Sequence, residues 1–167
     1  MASDFDSTQH VDGLMDALAD ISDDQLLARL AEIEPLPDEG DPRWDNMQFW
    51  IDVANPFEAL TRVACSRKLL PAVSLILERM CFGDPGETMR PVCHGFEHIV
   101  NPDWHNLLPL YAQATESSRR GTRMWALSCM ARLRTEEARV IFDRCLRDGD
   151  ANVRNEAERG LRMLDNP

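Results

Sequence analysis

Lysine is almost missing from this chain: Lys68 stands alone against seventeen arginines, a bias read as coding preference with no function attached. Paired cysteines are missing too, since no Cys-x-x-Cys occurs among Cys65, Cys81, Cys93, Cys129 and Cys145. An odd count, with four of the five inside apolar helical patterns, predicts reduced, buried thiols and a cytoplasmic protein, not a disulfide framework. Long hydrophobic runs are equally scarce. The longest, Leu69 to Leu77, is less than half a membrane span, so no membrane partner is expected. The first twenty residues are acidic and lack a basic start followed by an apolar run, so they do not read as a signal peptide. No G-x-S-x-G, P-loop or G-x-G-x-x-G occurs, which removes motif support for nucleophile-elbow, nucleotide and dinucleotide chemistry. No cofactor is expected. Alternating strand patterns are absent as well.

What is present is helical periodicity. With 167 residues, 44% of them hydrophobic, the chain has the size and apolar content of one domain spanning 1–167. "VDGLMDALADI" puts Val11, Leu14, Met15, Leu18 and Ile21 at helical spacing, with Asp12, Asp16 and Asp20 off that stripe. "SDDQLLARLAEI" opens with Ser22 and Gln25 in capping-box spacing and continues with Leu26, Leu27, Leu30 and Ile33. A calcium loop fails here because Gln25 occupies the place of the obligatory glycine. Residues 35–46 form a proline-rich break. Asn55, followed by Pro56 and Glu58, is expected to cap a new helix, and further helices are predicted near 69–80, 87–100, 101–114, 122–133, 136–146 and 151–164.

Charge divides the chain. Residues 1–45 hold thirteen acids and two arginines, whereas residues 46–167 hold sixteen acids and sixteen bases. The entire net charge of −11 therefore belongs to an acidic N-terminal helical segment on a neutral body. Such asymmetry points to a basic protein partner or to a solvated surface. Asp12, Asp16, Asp20, Asp23, Asp24, Glu32, Glu34 and Trp44 are its candidate contacts.

Two helices also repeat. "TRMWALSCMARL" from Thr122 aligns with "VRNEAERGLRML" from Val153, pairing Arg123 with Arg154, Ala126 with Ala157, Met130 with Leu161 and Leu133 with Leu164. "MRPVCHGFEHIV" from Met89 adds Arg90 in the same register, and "LLP" occurs at Leu69–Pro71 and at Leu107–Pro109. A period of this size built from paired helices indicates a solenoid. Over about residues 69–164 the chain resembles HEAT-type (armadillo-type) helical repeats, most specifically at Asp150 to Leu164. It departs from the pattern at the longer "CFGDPGE" linker, at Pro91 and at Glu97. The resemblance implies an all-α, right-handed α-solenoid with residues 1–45 as an acidic cap. It also implies structural roles for Arg90, Arg123 and Arg154, which bond backbone or acidic groups of a neighbouring repeat.

His94, Glu97 and His98 spell H-x-x-E-H, the order of a zinc hydrolase. A metal centre needs a third ligand and a walled pocket, and the repeat register explains these positions as residues beside a buried stripe. They are therefore placed, with Ser128, Arg132, Glu158, Arg159 and Arg162, on the concave face of the solenoid. A net charge of −11 argues against nucleic-acid binding, although some HEAT-like folds are DNA glycosylases. The expected function is non-enzymatic protein binding, most concretely by a bacterial immunity protein that neutralises a basic toxin domain. A scaffold or adaptor subunit is the second reading, and a HEAT-fold enzyme or DNA-binding protein the third.

Overall fold

A computed structural model describes residues 7–83 and 105–166. Those residues are all-helical, with no strand among them. The expected helix near 87–100, with Arg90, Cys93, His94, Glu97 and His98, lies outside the described residues, as does the start of the one expected near 101–114.

Helix α1 (Ser7–Leu18) buries Val11 and Leu18 against α4 (Asn55–Ser66). Helix α2 (Asp23–Glu32) starts where the capping box places it. The Ser22 hydroxyl accepts from the Gln25 N–H at 3.2 Å, and Gln25 Oε1 accepts from the Ser22 N–H at 3.0 Å. Leu26 and Leu30 then turn inward, and α2 packs on α4 and α5 (Ala72–Leu77).

The proline-rich break is ordered. Leu36 is 1% exposed, its N–H donates to the Arg79 carbonyl at 2.9 Å, and the Glu39 N–H donates to the Phe82 carbonyl at 2.8 Å. A 3₁₀ turn (Pro42–Asp45), begun by the Asp41 side chain, leads into α3 (Met47–Phe49). There the chain departs from expectation. Asn55 does not cap a new helix, because α3 widens into a π turn (Trp50–Ala54) and runs straight into α4, with Asn55 helical and fully buried. Pro56 supplies the reason. It has no N–H to give the preceding turn and its ring crowds that turn's carbonyl, so the extra residue of a π turn lets the helix pass without breaking.

Helix α5 is shorter than the expected 69–80, since Leu69 to Pro71 form a turn and the chain opens again after Leu77. Beyond the second described boundary come α6, helical over 105–114, then α7 (Arg120–Leu133), α8 (Glu136–Cys145) and α9 (Ala151–Asp165). Helix α9 packs on both α7 and α8. Ala126 and Ala157 are completely buried, while Leu133 and Leu164 are half-buried against the core. The start of α7 comes so close to the 81–82 backbone that a Cβ on Gly121 would lie 2.8 Å from it. One hydrophobic cluster runs from Val11 to Ala157.

Arginine forks close the ends of these helices. Arg67 donates to the carbonyls of Leu18 (3.2 Å), Ala19 (2.9 Å) and Ile21 (2.8 Å), at the end of α1 and just beyond it, where helical partners run out. Arg79 does the same for Ala31 (2.7 Å) and Ile33 (2.9 Å) at the end of α2. Lysine has no planar fork with which to hold two carbonyls at fixed spacing. The arginine excess thus has a structural use that composition alone did not suggest.

Candidate interaction surfaces

Because Val11, Leu14 and Leu18 turn inward, the aspartates of α1 are forced outward. Asp12, Asp16, Asp20, Asp23, Asp24, Glu32 and Glu34 are all exposed, and Asp23 is tied to Arg67 at 3.0 Å. Asp12 also reaches inward electrostatically. Burial pushes the Glu58 carboxyl above its usual range; the paired Arg62 opposes this and the charge of Asp12 adds to it. Trp44 is half-buried. Its indole N–H donates to the Pro37 and Asp38 carbonyls at 3.2 Å, and its ring packs edge-on against Phe49 at 5.1 Å.

Beside Glu32 lies a groove that the sequence pattern did not reveal. Leu14, Ala17 and Leu18 of α1, Arg29 and Glu32 of α2, Ile33, and Pro56 and Leu60 of α4 enclose about 360 Å³, open to solvent. Ala17 lies on the polar side of the periodic stripe and Pro56 reads as a helix start, so neither signals a cleft locally.

At the other end, the repeated arginines make repeated bonds. Arg123 donates to the carbonyls of Ser117 (3.0 Å) and Ser118 (3.1 Å), and Arg154 donates to those of Asp148 (2.7 Å) and Gly149 (3.1 Å). In each case the acceptors lie six and five residues upstream. Arg123 also grips both oxygens of Asp148, at 2.8 and 3.1 Å, which ties the start of α7 to the turn before α9. Burial raises the Asp148 carboxyl, but the Arg123 fork, the Asp150 N–H and the charges of Arg123 and Arg154 outweigh it. The net effect holds that carboxyl below its ordinary value. Asp150 caps α9 through the N–H groups of Asn152 (2.8 Å) and Val153 (3.3 Å).

Of the expected concave-face residues, the fold brings Ser128 and Arg159 together at 3.5 Å, and Arg159 also pairs with Glu156. Glu158 and Arg162 are exposed and pair along α9 at 3.6 Å, while Arg132 is half-buried. A further cluster is legible only in three dimensions. Asp38 accepts from the Phe82 N–H at 2.9 Å and from Arg120 at 3.0 Å, and the Arg120 guanidinium lies over the Phe82 ring at 4.3 Å.

Cys65, Cys81, Cys129 and Cys145 are buried thiols outside any disulfide, and burial pushes the Cys65 thiol up to about 12. A thiol so rarely ionised is a poor nucleophile. Among the described residues no cluster of three or more His, Cys, Asp or Glu is placed to hold a metal, and no helix is long and apolar enough to cross a membrane. No protein-family model, curated protein or solved structure matches this chain.

Proposed function

We propose that this chain is a non-enzymatic protein-binding module, most concretely a bacterial immunity protein that neutralises a basic toxin domain such as a nuclease. The observation that carries the reading is the outward array of Asp12, Asp16, Asp20, Asp24, Glu32 and Glu34, all exposed on α1, on α2 or in the few residues that follow each. Desolvating so many like charges against a neutral surface is unfavourable, whereas a basic surface compensates them and is drawn in from a distance. Behind this array we place a HEAT-like α-solenoid of which the acidic helices form the cap. The matching carbonyl clamps of Arg123 and Arg154 and the packing of α7 on α9 support that arrangement. Four buried cysteine thiols outside any disulfide support a cytoplasmic setting.

The test is kinetic. With a partner captured from native lysate and then purified, association should approach about 10⁸ M⁻¹s⁻¹ at low salt and slow as the Debye length shrinks. Changing Asp12, Asp16, Asp20, Asp23 and Asp24 together to asparagine should slow low-salt association at least about ten-fold. Equal association rates for the two proteins at low salt would overturn the reading.

A further inference from the structure

We infer that the groove between α1, α2 and α4 is the seat of a basic amphipathic helix supplied by the partner, with apolar side chains in the cleft and cations on the surrounding acids. The inference rests on the acidic segment being a partner-binding surface and names what that surface grips. The cleft is lined by Leu14, Ala17, Leu18, Ile33, Pro56 and Leu60 together with the charged Arg29 and Glu32. Its volume of about 360 Å³ gives room for a few aliphatic side chains. That is how a helix anchors in a groove, through residues recurring every three or four positions.

Charge selects among helices. Asp16 flanks the lining residue Ala17 on α1 and is exposed, as are Asp20 one turn on and Glu34 beside the lining residue Ile33. An acidic helix, or an anionic lipid surface, would meet these carboxylates as like charges. A neutral apolar segment would leave them without compensation. A helix with leucine-like residues on one stripe and lysine or arginine beside it satisfies both the cleft and its surroundings. A small part of such a helix, acidic at one point, would complement Arg29.

The two contributions separate kinetically, because peripheral charge governs mainly the association rate and seated apolar anchors govern dissociation. The probe is a fluorescein-labelled helical peptide of about five turns, with leucine along one stripe and lysine elsewhere, measured against the full-length chain. A scrambled peptide of identical composition is the control. We expect the amphipathic peptide to bind at least about ten-fold more tightly than the scrambled one. Ala17→Gln, a neutral polar filler at an exposed helical position, should raise the dissociation rate about ten-fold and leave low-salt association unchanged. Asp16→Asn with Asp20→Asn should do the reverse. Methyl NMR signals of Leu14, Leu18, Ile33 and Leu60 should shift on peptide addition, which reads the site without any substitution.

Equal affinity for both peptides, or methyl shifts confined to other regions, overturns the groove while leaving the acidic surface a charged attractor. An unchanged association rate in the asparagine variant, with the leucine stripe still required, instead removes the electrostatic reading and leaves the cleft. Absence of binding by either peptide overturns this inference.

Discussion

Asp148 shows how much one carboxylate holds together. It accepts both arms of the Arg123 fork and the Asp150 N–H, and its own backbone carbonyl accepts from Arg154. The Arg123 and Asp148 side chains are only 17% and 14% exposed, so solvent screens the pair weakly. Asp148→Asn should destabilise the fold by about 2 kcal/mol, because it turns charge-assisted bonds into neutral ones and leaves a shielded guanidinium poorly matched. In a domain of this size that lowers Tm by about 4–8 °C. The pH dependence has a defined sign. The folded carboxyl titrates below the ordinary value of 3.8, so its stabilisation is complete above that value and vanishes as pH falls through the folded pKa. Melting curves should therefore show the largest gap between wild type and Asp148→Asn near neutrality, closing as the pH falls below the ordinary carboxyl value of 3.8 and through the lowered one.

At the scale of elements, helix ends were the most legible in the sequence where their partners are local. Ser22 with Gln25 is a short-range signal, and the two side chains take those bonds. The apolar stripes of α1 and α2 were equally readable, because periodicity is a local property. What could not be read is what depends on distant chain. The forks of Arg67 and Arg79 find carbonyls 46 to 49 residues away, and the order in the proline-rich break comes from its bonds to Arg79 and Phe82. The groove arises for the same reason, from three helices that share no pattern. Asn55 misled because a cap and a π turn ahead of proline carry the same residues. The close of α4 offers a direct test of element energetics. Lys68 adopts φ 53° there while the Leu69 N–H returns to the Ala64 carbonyl at 2.9 Å. Glycine is favoured at such a left-handed position, so Lys68→Gly should stabilise by about 0.5–1 kcal/mol in denaturant titration. A loss of stability would mean that the lysine side chain contributes more than its backbone strain costs.

For the whole molecule, the acidic segment belongs to the core despite its composition. Val11, Leu18, Leu26, Leu30 and Leu36 are part of one buried cluster with the rest of the chain. A chain beginning at residue 46 would uncover the α4 and α5 faces and take from the Arg67 and Arg79 forks their acceptors at the ends of α1 and α2. We expect such a truncation to lose its cooperative melt in circular dichroism. A sharp transition within a few degrees of wild type would show instead that residues 1–45 are an appendage.

The long reach of Arg67 and Arg79 also sets an order of events during synthesis. Helices α1 and α2 are synthesised before α4 and α5, and the groups that seal their C-terminal ends are added only when translation reaches residues 67 and 79. Until then the nascent acidic helices carry an unsheltered oily side. Two helices are thus made well before the groups that secure them.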